Sequence, residues 1–176
     1  MNNPKWEFIN NEIITWSIQG SFSRGKPIYI RHFTEQIKNN FKYKARQVLR
    51  NFSLKYQNQV NSKKHTVNIT ELKELLSQGS GKILVNGVIG FGRTQKLLNL
   101  YLKYLWVLGQ IPEPPHCPFD SIVIHELESN KVWTDPQFNE KDYWELVEKA
   151  GIKAKEKNLS IASWELGFWN KKNAQI

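Results

Sequence analysis

Residues 97–109 read Leu-Leu-Asn-Leu-Tyr-Leu-Lys-Tyr-Leu-Trp-Val-Leu-Gly, and this stretch decides the fold. Large apolar side chains cover most faces of a helix drawn through it, whereas a helix at the surface of a protein keeps a broad polar face. A helix that is apolar nearly all round is buried by its neighbours. We therefore expect residues 97–109 to form a central helix around which the other elements pack.

The segment just before this helix, Gly90-Phe91-Gly92-Arg93-Thr94-Gln95-Lys96, combines glycines with cations. The first amides of a helix have no partner within the helix, and glycine lets a ligand approach them closely. Such a helix start is suited to binding phosphate. The pattern predicts nucleic-acid contacts at Gly90, Gly92, Arg93, Thr94 and Gln95. An ordinary tight turn leading into the central helix is the alternative, because the motif of a phosphate-binding P-loop is missing.

Helical patterns recur on both sides of the central helix. Asn3-Pro4 is typical of a helix cap and first turn, and helical spacing then predicts core positions at Trp6, Ile9, Ile13 and Trp16, with the helix ending near Ile18. Further helices are predicted over residues 34–59, from Asn68 or Thr70 to Gln78, from Asn139 or Lys141 to Lys157, and over 160–169.

The segments between these helices read as turns and crossings. Residues 20–27 and 61–66 are predicted loops, and the prolines of 112–118 predict an extended crossing over the surface. Residues 27–30 are β-prone, and residues 120–127 fit a strand or a helix equally well. We predict an all-α fold, mostly helical with one or two short β-prone segments, in a single globular domain over residues 1–176.

Positive charge is concentrated in one part of the chain. The net charge is +9, and residues 31–64 contribute nine cations against the single anion Glu35. Within the predicted helix 34–59, Lys38, Lys42, Arg46 and Arg50 recur at intervals of four and should form one ridge. Such a basic ridge attracts a polyanion, so we predict a nucleic acid, DNA before RNA, as the partner. A solvated lysine face, an anionic membrane surface and an acidic protein partner are the alternatives.

Several functional classes are disfavoured by composition. Cys117 is the only cysteine, which excludes an internal disulfide and favours a reducing, cytoplasmic compartment. The four histidines show no spacing typical of metal ligands, so we predict neither a metal site nor a cofactor. No apolar run is long enough to span a membrane. We interpret Trp164, Phe168 and Trp169 as closing the core, with a base-stacking platform as the alternative.

The order of these motifs resembles the helix-hairpin-helix DNA glycosylases. The resemblance covers about residues 82–127 and rests on Gly90-Phe91-Gly92-Arg93, the long apolar helix, the proline-rich crossing and Pro118-Phe119-Asp120. It implies that Lys96 is a nucleophile, that Asp120 is a catalytic carboxylate, and that the glycine segment contacts the DNA backbone. The spacing from Lys96 to Asp120 is closest to the archaeal branch that acts on oxidised guanine. Thr94 stands where many members of the superfamily carry their lysine.

Both candidate catalytic residues also have ordinary structural interpretations. Asp120 follows Pro-Phe and is a natural helix N-cap, and Lys96 fits a solvated lysine beside a helix start. The expected function is therefore DNA binding, with base excision by a lysine nucleophile and an aspartate as the enzymatic form. The rival is a non-enzymatic nucleic-acid-binding module, such as a regulator or a mobile-element accessory protein.

Overall fold

The computed structural model describes residues 3–30 and 33–174, so Arg31, the first cation of the basic segment, lies outside the described residues. Within those ranges the chain forms seven α-helices, and the prediction of an all-α fold is confirmed. Their bounds are α1 Pro4–Phe22, α2 Glu35–Ser53, α3 Ser62–Ser77, α4 Phe91–Val107, α5 Ser121–Glu126, α6 Glu140–Lys155 and α7 Ile161–Asn173. Short 3-10 turns occupy Leu54–Tyr56 and Val85–Gly87.

Side-chain caps explain where most of these helices begin. A side-chain oxygen at the N-cap accepts a hydrogen bond from a backbone amide of the first turn, which satisfies a donor that the helix leaves free. The capping residues are Asn3 for α1, Thr34 for α2, Asn61 for α3, Asp120 for α5, Asn139 for α6 and Ser160 for α7. Helix α4 differs, because its N-cap Gly90 has no side chain to offer.

The central position predicted for the apolar stretch is confirmed. Helix α4 packs most extensively against α1, then against α3, and also touches α2. Its residues Leu97, Leu98 and Leu102 are completely buried in the hydrophobic cluster that joins the helices. The helix starts earlier than expected, at Phe91, so the glycine segment forms its first turn rather than a loop ahead of it.

Several predicted boundaries are wrong for local reasons. Helix α1 continues through Phe22, and Gly20, predicted to begin a loop, lies within the helix where it approaches α4, so that an added Cβ would stand 3.1 Å from Leu100 Cδ2. Helix α3 begins at Ser62, in the predicted turn, because the Asn61 side chain caps it. Helix α2 ends at Ser53 rather than at residue 59. The 3-10 turn Leu54–Tyr56 follows it directly.

The β-prone residues form only a minimal pairing. Tyr29 and Leu84 make an isolated antiparallel bridge, with Ile30 N–H donating to Ile83 O at 3.0 Å and Val85 N–H to Ile28 O at 2.9 Å. The ambiguous residues 120–127 are resolved as helix α5 with its cap. In the part of the chain that the structure describes, no helix is long and apolar enough to cross a membrane.

Two predictions of burial are corrected by the fold. Ile9 and Trp16, expected in the core, are exposed, and half of the Trp16 surface is accessible. The prediction for Ile13 is confirmed, and the buried face of α1, which packs against α4, also carries Ile14 and Ile18. The crossing at 112–118 is not a surface segment either, since it buries Pro114, His116, Cys117 and Pro118.

Candidate functional site

The structure brings together the two residues that the resemblance singled out. Lys96 lies in the second turn of α4, and Asp120 caps α5, 24 residues further along the chain. The Lys96 ammonium donates a hydrogen bond to Asp120 Oδ2 at 3.2 Å. Asp120 Oδ1 meanwhile accepts the backbone N–H groups of Ile122 at 3.0 Å and Val123 at 3.1 Å. Asp120 is thus a helix cap and the partner of Lys96 at once, with one oxygen for each role.

Lys96 is largely buried and is not the solvated lysine that its position near a helix start also allowed. Only 10% of its side chain is exposed, and its Nζ lies 4.5 Å from the centre of the Trp133 ring. Burial lowers the pKa of Lys96 below its ordinary value, the nearby Asp120 opposes this, and the positive charges of Arg24 and Arg93 lower it further. A lower pKa increases the fraction of the neutral amine, which is the nucleophilic form.

Lys96 and Asp120 border a cavity of about 530 Å³ between α1, α4, α7 and the start of α5. This volume falls within the roughly 300–1,000 Å³ typical of small-molecule sites. Aromatic side chains from four parts of the chain line it, namely Trp16, Tyr104, Trp133 and Trp169. Trp16, whose exposure was unexpected from its helical spacing, is thus one of the residues that line the cavity. Aromatic walls offer flat apolar faces on which a planar ligand can stack.

A second lysine–carboxylate pair lies in the same cavity. Lys103 is two turns beyond Lys96 on α4, and its Nζ contacts both carboxylate oxygens of Glu165 on α7, at 2.9 and 2.8 Å. The Glu165 side chain is only 3% exposed. Burial raises the pKa of Glu165 while Lys103 opposes the shift. Lys103 lies seven residues after Lys96, so the helix places both lysines on one side, whereas no sequence signal marked Glu165, which lies 62 residues after Lys103.

The glycine segment is turned inward, and this changes the interpretation of its residues. Gly92, Arg93, Thr94 and Gln95 are all buried, and only Gly90 remains partly accessible. The Arg93 guanidinium donates to Ser21 O at 2.8 Å and also to the carbonyl of Lys26. The Thr94 hydroxyl donates to Gly90 O at 3.1 Å. The hydrogen-bond partners of the Arg93 and Thr94 side chains thus lie within the protein.

Gly92 has a packing role that its sequence motif did not indicate. A Cβ atom added there would lie 1.9 Å from the carbonyl oxygen of Trp133, which real structures never show. The absence of a side chain lets the segment around Trp133 lie directly on the first turn of α4. This contact holds the Trp133 indole over Lys96, where Trp133 Nε1–H also donates to Ser121 Oγ at 3.2 Å.

The predicted basic ridge on α2 is not a row of free cations. Arg46 donates to Thr15 Oγ1 at 2.7 Å and to a backbone carbonyl of α1, and Arg50 donates to the Asn11 side chain. Lys38 pairs with Glu35 at 2.6 Å. Lys42 makes a long contact of 3.4 Å with Asn39 on its own helix. The two arginines thus tie α2 to α1, and the two lysines remain at the surface.

The neighbouring His116 and Cys117 are buried rather than exposed to a ligand. Burial raises the pKa of the Cys117 thiol well above its ordinary value, which disfavours the reactive thiolate. Among residues 3–30 and 33–174, no cluster of three or more His, Cys, Asp or Glu side chains is arranged to hold a metal ion. In comparisons with known proteins, no family model, no curated protein and no solved structure matches this chain.

Proposed function

We propose that this protein is a DNA base-excision glycosylase in which Lys96 is the nucleophile and Asp120 the catalytic carboxylate. The observation that carries the proposal is the 3.2 Å contact of Lys96 with Asp120 at the edge of an aromatic-lined cavity. Two further features support it. The net charge of +9 favours a polyanionic partner, and the order of glycine turn, lysine-bearing helix, proline crossing and capping aspartate resembles the helix-hairpin-helix DNA glycosylases.

The cavity suits a base that has left the stack of the double helix. Extruding a base costs a few kcal/mol, and least for a damaged or mismatched one. Stacking on an aromatic side chain returns about 1–3 kcal/mol per base, and Trp16, Trp133 and Trp169 offer such faces. Lys103 and Glu165 add a donor and an acceptor to the cavity, so polar groups on the edge of a base have partners there.

The chemistry assigned to Lys96 begins when its ammonium loses a proton to water, and the neutral amine then attacks the sugar carbon C1′. The amine lone pair forms a bond to C1′, the glycosidic C1′–N bond breaks, and the base leaves with that electron pair and takes up a proton. The C1′–O4′ bond then breaks, O4′ takes up the proton that the nitrogen loses, and a protonated imine joins Lys96 to the sugar. Water hydrolyses this imine. Asp120 stabilises the positive charge that develops on the sugar during attack.

Borohydride trapping tests the proposal directly, because hydride reduces the imine to a stable amine. The protein is incubated with duplexes carrying oxidised, deaminated or alkylated bases or an abasic site, and adducts are counted by gel shift and mass spectrometry. We expect an adduct with at least one damaged duplex and none with Lys96→Ala. Asp120→Asn keeps a side chain able to cap α5 and should lower the single-turnover rate about 100-fold or more.

Lys157→Ala is the matched control, because it also removes one lysine, but an exposed one that lies outside the basic segment 31–64. It should trap as much adduct as the unchanged protein. Absence of an adduct with every substrate, or an undiminished adduct with Lys96→Ala, would overturn the enzymatic proposal. Salt-sensitive binding to DNA in the absence of any adduct would then identify a non-enzymatic nucleic-acid-binding module.

A further inference from the structure

Gln95 makes a two-point contact with the residue that precedes Asp120. Its side chain is completely buried, although glutamine is usually exposed. The Gln95 Nε2 group donates to Phe119 O at 2.7 Å, and Gln95 Oε1 accepts the Phe119 N–H at 3.2 Å. The amide therefore pairs with both backbone groups of one residue, as the edge of a neighbouring strand would.

The contact between Gln95 and Phe119 lies directly beside the contact between Lys96 and Asp120. Gln95 directly precedes Lys96 on α4, and Phe119 directly precedes Asp120 before α5. The contact from 95 to 119 thus lies one residue before the contact from 96 to 120. The other fixed point of Asp120 is its own cap bond to α5. The start of this six-residue helix is thus joined to α4 at two adjacent points, through Gln95 and Phe119 and through Lys96 and Asp120.

A buried network fixes which way the Gln95 amide points. Asn99 Nδ2 donates to Gln95 Oε1 at 3.2 Å and to Tyr143 OH at 3.2 Å. Asn99 Oδ1 in turn lies 2.8 Å from His65 Nε2, and His65 Nδ1 lies 2.7 Å from Tyr56 OH. With Asn99 held in this orientation, Gln95 Oε1 must accept and Gln95 Nε2 is left to donate to Phe119 O.

We propose that Gln95 is a positioning residue, which holds the Phe119–Asp120 peptide on α4 so that the Asp120 carboxylate meets Lys96 at the cavity. Its role in catalysis rests on the proposed function, whereas the positioning itself is a property of the free protein. The sequence motif had suggested contact of Gln95 with nucleic acid, and the buried geometry assigns it this internal task instead.

The test uses Gln95→Met, which keeps a similar volume but removes the donor and the acceptor. NMR of isotope-labelled lysine side chains follows the pKa of Lys96 in the free protein. We expect this pKa to fall in Gln95→Met, because Asp120 is no longer held against the ammonium. In an Asp120→Asn background the same substitution should leave the pKa of Lys96 unchanged, since the carboxylate is already gone.

Asn68→Leu is the matched control, because it also removes a completely buried amide. The Asn68 amide donates to Tyr56 OH at 3.1 Å, at the far end of the network from Gln95. It should lower the melting temperature and leave the pKa of Lys96 unchanged. If Gln95→Met behaves in the same way as this control, the positioning role is overturned. Gln95→Asn, which is neutral and too short to span both Phe119 groups, provides the same reading if Gln95→Met does not fold.

The kinetics of base excision test whether the positioning of Asp120 by Gln95 matters for catalysis. In Gln95→Met we expect the single-turnover rate to fall at least tenfold while the dissociation constant for substrate DNA stays within twofold. An equal loss of affinity and rate would overturn the positioning role in catalysis. If the unchanged protein excises no base, the proposed function fails, and the NMR comparison still decides whether Gln95 positions Asp120.

Discussion

Helix α2 carries five cations within its 19 residues, whereas α4 contributes two lysines to the cavity. The α2 cations at Arg46 and Arg50 are used to join helices, through neutral oxygens of α1. Lys96 and Lys103 instead each face a carboxylate, with about a tenth of either side chain exposed. The comparison teaches that cations on two helices of one chain can serve different purposes, since those of α2 join helices or lie at the surface, whereas the two lysines of α4 form buried pairs with carboxylates at a cavity.

Breaking the buried pair of Lys103 and Glu165 gives the largest effect on stability. Glu165→Gln leaves the buried ammonium of Lys103 without a counter-charge, and removal of one member of a buried pair costs about 3 kcal/mol or more. Urea unfolding at neutral pH measures this loss. The double variant Lys103→Met, Glu165→Leu should recover more than half of it, because apolar side chains of similar size replace both charges. If Glu165→Gln lowers the free energy of unfolding by less than about 1 kcal/mol, the pair contributes no more than a solvent-exposed salt bridge, and the expectation is wrong.

Mild acid is expected to weaken the core beside the cavity. Burial lowers the pKa of His65 to about 4 and that of His116 to about 3, from an ordinary value of 6.5. Below about pH 6.5 these histidines therefore bind protons in the unfolded chain but stay neutral in the folded protein. Their contribution to the free energy of unfolding is fully present above this pH and is lost as the pH falls. The slope is at most about 1.4 kcal/mol per pH unit for each histidine.

Urea unfolding between pH 6.5 and 5 checks this expectation, in a range where most carboxylates stay ionised. His65→Gln keeps a neutral polar side chain and should reduce the slope by about half. His125→Asn replaces an exposed histidine and should leave the slope unchanged. A free energy of unfolding that is constant over this range would contradict the buried, neutral state of the two histidines.

Substitutions in the basic ridge of α2 are expected to have the smallest effects on stability, and they should differ between its arginines and its lysines. Arg46→Ala removes the hydrogen bonds to α1 and should cost about 1 kcal/mol, typical of a partly buried hydrogen bond. Lys42→Ala, on the same face of the helix, should change stability by less than about 0.5 kcal/mol. If DNA affinity falls more in Lys42→Ala than in Arg46→Ala, Lys42 contacts phosphate. Equal losses of stability in the two variants would contradict the assignment of Arg46 to helix packing.

The helices could be predicted from sequence because their signals are local. Asn3, Asn139 and Ser160 cap the helices that they were expected to begin, and the continuous apolar stretch marked α4. Trp16 shows the limit of this reasoning. Helical spacing marks a face that is apolar, but an apolar face lines a cavity as readily as it packs in a core.

The candidate site was only partly visible in the sequence. Lys96 and Asp120 followed from a motif order, and the fold brings them into contact. Glu165 and Trp169 reach the cavity from the last helix, and nothing in their local sequence indicates which helix α7 will face. The burial of Gln95 was missed for a similar reason. A polar residue in a glycine-rich segment looks exposed until the partner that hydrogen-bonds it, here Phe119, is known.

The division of the Asp120 carboxylate between two partners has a consequence for the energy of charge rearrangement. In the proposed reaction Lys96 would turn toward a sugar and Oδ2 would lose its partner, whereas the bonds from Oδ1 to the amides of α5 would remain. The α5 amides would therefore keep the carboxylate oriented toward the cavity. It would not have to rotate or form new hydrogen bonds before it interacts with a positive charge there. Around a carboxylate in water, solvent dipoles must reorient when a positive charge forms nearby, and this costs free energy. In the folded protein the α5 amides are already oriented toward the carboxylate, so this cost is smaller.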